Sequence, residues 1–255
     1  MSGYAIMRFV KHSGSAAGIE AHHERLKENY KSNPDIRTER SSRNIHLIQP
    51  EMRYSREIKT RIEAAKERNP KIVVKANSVR FVDTLITATP EYFQGFSMEV
   101  VKRYFQTALK FFEEKVSAKN IVSAVIHMDE KTPHMHLVFV PLTDDDRLSA
   151  KDIIGGPAGC RKWQDEFYQR MAKSFPGLMR GRPAELTGRK HMGTKEYKEV
   201  VRMDSSLESK INTTAELKTL RKYANSIPEK IKQDIREAHK QERLEKSRKE
   251  RERIR

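Results

Sequence analysis

Two apolar runs rich in β-branched residues flank a short polar segment that holds three histidines. The runs cover residues 121–126 and 137–142, and the segment between them, His127 to His136, reads His-Met-Asp-Glu-Lys-Thr-Pro-His-Met-His. Runs of this length and composition are typical of buried strands, and the Lys-Thr-Pro sequence between them favours a turn. The pattern therefore predicts a β-hairpin that turns near residues 131–133.

This hairpin would bring its three imidazoles together. Side chains alternate between the two faces of a strand, so His134 and His136 share one face while Met135 points to the other. His127 can reach the same face from the opposing strand. Three neutral imidazoles suit a divalent transition metal and leave coordination positions open for a substrate oxygen. We predict a catalytic metal site here; the alternative is a group of partly exposed strand histidines without a metal.

The charge of the chain indicates an anionic partner. Among 255 residues, Lys and Arg outnumber Asp and Glu by 51 to 35, a formal net charge of +16. This excess points to nucleic acid first and to an anionic membrane surface second. No apolar run approaches the roughly 20 residues that span a bilayer, no signal peptide is recognisable, and the one cysteine, Cys160, cannot form an internal disulfide. We expect a cytoplasmic protein.

The remaining patterns predict an α/β domain followed by a charged extension. Strands are expected at residues 4–10, 45–48 and 79–88, and helices at 19–30, 51–68, after Ser97 and at 157–173. Together they predict an α/β sandwich, a mainly antiparallel sheet of about five strands with the histidine hairpin at its centre and helices on its faces.

The domain is predicted to cover residues 1–193. Its last part, 176–193, is rich in Gly, Pro and basic residues and is either a clamp for a phosphate backbone or a solvated connection. Residues 194–255 are expected to form a charged helical extension, with a basic tail as the alternative.

Three separate segments resemble one family of DNA-processing enzymes. The segment 127–136 is similar to the metal motif of HUH endonucleases, and most closely to that of the MobV (Pre/Mob) plasmid mobilisation relaxases. The segment 21–25, Ala-His-His-Glu-Arg, resembles the His-x-Glu-Arg segment of that family, and the segment 33–44 resembles its Asn-rich turn that ends in Arg-Ser. The likeness extends from Tyr4 to about Leu148. One basic position of the family pattern is missing at Lys75-Ala76-Asn77.

The resemblance implies an enzyme that nicks one DNA strand at an origin of transfer, keeps the 5′ end covalently attached and later rejoins it. The nucleophile would be His22, at the position that the family is thought to use, with Tyr4 and Tyr30 as the rival nucleophiles. Glu24 would orient or deprotonate His22, unless it is only a solvated carboxylate, and Arg25 would contact phosphate. Glu130 would complete the metal shell or fix the tautomer of one imidazole.

The residues that the resemblance assigns to DNA contacts are Arg25, Arg40, Ser41, Asn44, Lys75 and Asn77. The expected cofactor is Mn²⁺ or Mg²⁺, with Zn²⁺, Co²⁺ and Ni²⁺ as alternatives. Expected partners are single-stranded or hairpin DNA of an origin of transfer, a second copy bound through the C-terminal helices, and a type IV secretion coupling protein. The rival functions are an HUH replication initiator of the rolling-circle type, a transposase, a hydrolase of small phosphate esters, and a basic DNA-binding module without catalysis.

Overall fold

Alternation along the strands decides which side chains form the core and which form the site. The computed structural model describes residues 2–30, 33 and 35–181. The strands are β1 (Gly3–His12), β2 (Ile45–Ile48), β3 (Phe81–Ala88), β4 (Ile121–His127), β5 (His134–Phe139) and β6 (Leu178–Arg180). The α-helices are α1 (Ala17–His23), α2 (Tyr54–Arg68), α3 (Pro90–Phe93), α4 (Met98–Val116), α5 (Ala150–Ile154) and α6 (Pro157–Ser174), and two 3-10 helices cover Thr38–Arg43 and Ala118–Asn120.

The strands form one sheet of six in the order β2-β4-β5-β3-β1-β6. All neighbouring strands are antiparallel except β1 and β6, which are parallel. This confirms the predicted α/β fold with a mainly antiparallel sheet. The sixth strand, β6, was expected to be part of a loop, because three residues are too few to show a period of two.

Helices cover both faces of the sheet. On one face α4 and α6 pack through a large apolar cluster that includes Phe105, Phe112 and Trp163, and Met135 of β5 is fully buried there. On the other face α2 packs through Tyr54, Ile58 and Ile62 in a smaller cluster. The histidines belong to this second face.

The predicted hairpin is present. β4 and β5 pair antiparallel, with His127 directly opposite His134 and Val125 opposite His136. Ser97 caps α4 as expected, since its side chain accepts a hydrogen bond from the Val100 amide.

Two predicted helices have other bounds. The helix expected over 19–30 ends at His23, because Glu24 leaves the helical pattern and Arg25 adopts a positive φ of 53°. The helix expected from residue 51 begins at Tyr54.

The predicted domain boundary at 193/194 and the predicted helical extension at 194–255 lie outside the described residues. Within the described part of the chain, no helix has the length and apolar character needed to cross a membrane.

Two glycines in helices give a matched test of the packing. A Cβ built on Gly159, in the first turn of α6, would lie 2.2 Å from the carbonyl oxygen of Ile154, whereas one built on Gly18 of α1 meets nothing within 4 Å. We expect Gly159→Ala to destabilise the domain by about 1–3 kcal/mol through overpacking. Gly18→Ala should be neutral or stabilising, because Ala is the better helix former. Urea unfolding midpoints of the two variants measure the difference, and equal midpoints would contradict this packing at α6.

Candidate active site

The hairpin brings its three histidine rings into one cluster. The ring centroids of His127 and His134 are 5.1 Å apart, those of His127 and His136 are 5.1 Å apart, and those of His134 and His136 are 5.2 Å apart. The rings are buried to different degrees, His127 completely and His136 to 8% exposure. Burial lowers the pKa of all three imidazoles, and it outweighs the opposing effects of Glu130 on His134 and of Asp83 on His136. They are therefore neutral at neutral pH, which is the form that binds a metal.

Two of these rings are held by backbone carbonyl oxygens. His134 Nδ1 lies 2.9 Å from the Thr132 oxygen, and His127 Nε2 lies 2.9 Å from the His23 oxygen. The remaining nitrogens, His127 Nδ1 and His134 Nε2, face each other at 3.2 Å. Fixing one ring nitrogen by a carbonyl while the other points to a shared centre is the arrangement that orients metal-ligating histidines.

The third ring, His136, is oriented by a carboxylate that the sequence analysis did not single out. Asp83 Oδ1 lies 3.5 Å from His136 Nδ1 and 3.5 Å from His23 Nε2. Burial raises the pKa of Asp83, but the two histidines outweigh this and hold it far below its usual range. His23 stacks on His136 with centroids 4.1 Å apart, so its ring also lies against the cluster.

His22, at the end of α1, adds a further imidazole to the hairpin histidines and His23. Its ring centroid lies 5.2 Å from that of His136 and 5.7 Å from that of His127. Burial, followed by the positive charge of Arg25, lowers the pKa of His22 to about 4. The ring is thus unprotonated at neutral pH and keeps a lone pair available for attack or for metal binding.

Arg25 joins the end of α1 to the hairpin turn. Its guanidinium donates to both carboxylate oxygens of Asp129 at 2.8 Å and to Glu130 Oε1 at 2.8 Å. It also donates to the His22 carbonyl oxygen at 2.9 Å. The side chain of Arg25 is 6% exposed and that of Asp129 is completely buried. Burial raises the pKa of Asp129, but its hydrogen bonds to Arg25 and two polar neighbours lower it to about 2.

Those two neighbours, Ser41 and Asn44, attach a third segment to the same carboxylate. Ser41 Oγ donates to Asp129 Oδ2 at 2.6 Å and Asn44 Nδ2 donates to it at 3.0 Å. Asn44 Oδ1 accepts from the Met128 amide at 2.7 Å. Asp129 therefore fixes the end of α1, the end of the first 3-10 helix and the hairpin turn relative to one another.

A substitution at Asp129 tests how much its buried hydrogen bonds stabilise the domain. Asp129→Ala leaves the Arg25 charge buried without its main partner, so we expect a loss of about 3 kcal/mol in the free energy of unfolding. Asp165→Ala is the matched control, because Asp165 pairs with Arg180 at the surface with its side chain 55% exposed. That variant should change stability little. Urea unfolding of both variants measures the difference. Equal losses in the free energy of unfolding would contradict a stabilising role for the buried contacts of Asp129.

Glu24 and Glu130 occupy different surroundings. Glu24 Oε1 accepts from the Tyr54 hydroxyl at 2.7 Å, and Glu24 Oε2 lies 2.9 Å from His46 Nε2. Glu130 lies in the cluster, where Oε1 is 3.6 Å from His134 Nε2. Donor atoms of His127, Glu130 and His134 lie within 4.8 Å of one another, as do those of His22, His127 and His136. Either set is close enough to share one divalent ion.

The amino-acid sequence matches a known family over most of its length. Residues 1–199 match the model of the Mob_Pre family, described as plasmid recombination enzyme. The chain belongs to the Mob_Pre family. It is 35% identical over 190 residues to plasmid recombination enzyme type 1 of Staphylococcus aureus, covering 74% of this chain and 46% of that protein. It is 35% identical over 221 residues to a plasmid recombination enzyme of Bacillus thuringiensis, covering 86% and 48%.

This Mob_Pre chain spans about half the length of the curated relatives that it matches. A solved structure with the same fold is the MobM relaxase domain (MOBV; Mob_Pre), bound to oriT DNA of plasmid pMV158 and to Mn. It has a TM-score of 0.70 and 28% identity, and the match covers 77% of this chain and 98% of that one. The fold and the family resemblance drawn from the motifs are both confirmed.

Apart from Arg25, the residues that were assigned to DNA contacts lie outside the cluster of histidines. Arg40 is exposed in the first 3-10 helix, and Lys75 and Asn77 are exposed in the loop between α2 and β3. Ser41 and Asn44, by contrast, are half-buried and donate to Asp129. The assignments of all these residues to DNA remain predictions.

Several polar residues near the histidine cluster were not assigned a role from the sequence. Among them are His23, His46, Tyr54, Asp83 and Asp129. A usable signal existed for Asp83, since it is a single carboxylate within the otherwise apolar or neutral strand Phe81–Ala88. Tyr54 and His46 come from separate elements, so no local pattern could have joined them to Glu24.

Proposed function

We propose that this domain nicks one strand of DNA at an origin of transfer by transesterification and later rejoins it. The observation that carries the proposal is the approach of the neutral His22 ring to the hairpin histidines, at 5.2 and 5.7 Å between centroids. Support comes from the MobM relaxase domain of the same fold, which is bound to oriT DNA and Mn. The net charge of +16 fits a nucleic-acid substrate.

His22 would act as the nucleophile. A nitrogen of the neutral imidazole forms a bond to the phosphorus, and the bond from phosphorus to the 3′ oxygen breaks. The 3′ oxygen takes up a proton from solvent and leaves as a hydroxyl, while the other ring nitrogen releases its proton to solvent. The 5′ phosphate stays on the protein as a phosphoramidate, which is reactive enough for the returning 3′ hydroxyl to reverse the step.

The two tyrosines are placed less favourably. The Tyr30 hydroxyl donates to the Ala21 carbonyl at 3.2 Å and accepts from the Lys27 amide at 3.1 Å, so it is engaged in closing the end of α1. Tyr4 lies on β1, and β3 separates that strand from β5.

The donor set fits a divalent metal. His127, His134 and His136 would hold it, with Glu130 as a further ligand. Donor atoms of His127, Glu130 and His134 lie within 4.8 Å of one another, and the His136 ring lies 5.1 Å from that of His127 and 5.2 Å from that of His134. We propose Mn²⁺ or Mg²⁺. When bound, the ion supplies Lewis-acid polarisation of the scissile phosphate.

Arg25 would contact the phosphate, whereas Glu24 would act only by positioning the end of α1. Arg25 is held by Asp129, Glu130 and the His22 carbonyl oxygen, and its Nη1 lies 3.5 Å from His22 Nδ1; we propose that this nitrogen contacts a phosphate that approaches His22. Glu24 is engaged by Tyr54 and His46, so we propose that it positions the end of α1 through those contacts.

DNA binding is expected to depend strongly on salt. Each phosphate neutralised contributes about 0.7 to the slope of log affinity against log salt for a single strand. Fluorescence anisotropy of a labelled single-stranded oligonucleotide between about 50 and 200 mM salt measures that slope. An affinity that stays flat over this range would contradict a basic DNA-binding surface.

One gel experiment tests the function and its rivals. The protein is incubated with Mn²⁺ and supercoiled plasmid that carries the origin of transfer of a Mob_Pre relative, then denatured and separated. We expect relaxed circles and a covalent protein–DNA band. A mobility shift on a parallel native gel, without an adduct on the denaturing gel, would support a non-catalytic DNA-binding module. Equal nicking of plasmids without the origin would contradict site-specific relaxation. A rolling-circle initiator or transposase would instead act on a replication origin or an element end.

The proposed partners beyond DNA are a second copy, bound through residues outside the described part of the chain, and a type IV secretion coupling protein. Sedimentation of the full chain at several concentrations tests the first of these.

A further inference from the structure

A second group of metal-binding side chains lies beside the hairpin site. It consists of His23 at the last position of α1, Asp83 on β3 and His136 on β5, and we call it the triad. One donor atom of each residue lies within 4.8 Å of those of the other two. The three residues are 1%, 8% and 8% exposed, respectively. The polar atoms of the triad therefore need partners inside the protein.

The donor atoms of the triad converge without forming hydrogen bonds. Among the described residues, no hydrogen-bond partner is present for either ring nitrogen of His23, for His136 Nδ1 or for Asp83 Oδ1, and all four atoms are buried. Asp83 Oδ1 lies 3.5 Å from His23 Nε2 and 3.5 Å from His136 Nδ1, which is long for a hydrogen bond. Two ligands that are each about 2.1 Å from a tetrahedral ion lie about 3.4 Å apart. The spacing therefore suits an ion bound between these atoms.

The negative charge of Asp83 also favours a cation at this place. In the described part of the chain its ion-pair contacts are with His23 and His136, and no Lys or Arg of that part pairs with it. A buried carboxylate is costly unless a positive charge compensates it. A divalent ion held by the carboxylate and the two imidazoles would supply that charge.

The triad and the hairpin can each hold an ion at the same time. His127, Glu130 and His134 form a donor group of their own, which shares no residue with the triad. A neutral imidazole has one nitrogen free to bind an ion and a proton on the other. The tautomer of His136 therefore decides whether this ring serves the hairpin or, through Nδ1, the triad.

We propose that the triad is a second metal site, which takes a tetrahedral divalent ion such as Zn²⁺. Two imidazoles and one carboxylate are a donor set that Zn²⁺ and Co²⁺ favour over Mg²⁺. The ion would join the end of α1 to β3 and β5 and would thereby fix the segment that carries His22. Its role is structural and differs from that of the hairpin ion, which would act on the phosphate.

Counting bound ions on the full chain tests the proposal. Metal-free protein is dialysed against Co²⁺, whose tetrahedral complexes absorb visible light strongly, and bound Co²⁺ is measured by atomic absorption. We expect two ions per chain in the wild type and one in His23→Asn, together with a loss of tetrahedral absorption. His12→Asn is the matched control and should keep both ions. Its Nε2 is also buried and unpartnered, but His12 belongs to none of the donor groups found among the described residues.

Two further variants separate the triad from the hairpin ion. Asp83→Asn removes the carboxylate with little change in shape and should also lower the count to one, while circular dichroism shows whether each variant is folded. His127→Ala removes a member of both other donor groups and should keep the ion of the triad.

Two ions retained in either folded triad variant, His23→Asn or Asp83→Asn, would overturn the proposal. A single ion in the wild type that both of these variants keep would overturn it as well. A single ion in the wild type that His23→Asn loses and His127→Ala keeps would support the triad and contradict the hairpin ion of the proposed function. Because the readout is ion binding and not cleavage, the two failures are distinguishable.

Discussion

Replacing His22 by Ala should remove the covalent protein–DNA adduct. The substitution deletes the only group to which, in the proposed mechanism, the 5′ phosphate becomes attached. Loss of a covalent nucleophile lowers turnover by at least about 1000-fold, so the adduct should fall below detection on a denaturing gel. DNA affinity should change little, since basic contacts to phosphates do not need this ring.

Tyr30→Phe is the matched control for the nucleophile. It removes the rival hydroxyl but keeps the ring, whose centroid lies 6.1 Å from that of His22. We expect adduct formation to be retained, and Tyr4→Phe should behave in the same way. An adduct of full intensity in His22→Ala would exclude His22 as the nucleophile, and mass spectrometry of the attached peptide would then identify the residue that is used.

Removing the metal should stop nicking while leaving DNA binding in place. With EDTA present, we expect cleavage of the origin DNA to fall by at least 100-fold, because the polarisation of the phosphate that the ion supplies is lost. Added Mn²⁺ in excess should restore it. Electrophoretic mobility shifts under the same conditions should persist. Cleavage at full rate in chelator would contradict a metal role for the hairpin histidines.

A pair of histidine variants locates the metal. His136→Ala removes a proposed ligand, so binding of Mn²⁺ measured by calorimetry should weaken by at least tenfold. His12→Ala is the control, because His12 lies on β1 and stacks on Phe81 with centroids 4.7 Å apart, outside the histidine cluster. Equal effects of the two variants would place the ion elsewhere.

The sequence predicted the hairpin well because its signals are local. The apolar runs, the turn residues and the His-x-His spacing all lie within residues 121–142, and a period of two fixes which side chains share a face. The same reasoning expected His127 to reach that face from the opposing strand, where it pairs with His134. The family resemblance then added His22, which no periodicity could have connected to a hairpin about a hundred residues away.

The parts of the site that were missed depend on contacts between distant segments. Asp129 joins Arg25, Ser41 and Asn44, and each of these looks like an ordinary polar residue in its own segment. The early end of α1 had a similar cause. The residues after His23 have helix-compatible composition, but Arg25 leaves the helix with a φ of 53° and forms its buried pair with Asp129. The tertiary contact between Arg25 and Asp129, and not the local helix propensity, therefore determines where α1 ends.

The pairing of His127 with His134 sets a strict limit on how the hairpin can vary. Because successive side chains alternate, a slip of β5 by one residue would turn His134 and His136 into the apolar layer and expose Met135 and Leu137 in their place. Inserted residues are therefore tolerated only in the turn between β4 and β5, where they leave the pairing of the two strands unchanged. We expect length changes in natural variants of this hairpin to be confined to residues 130–132.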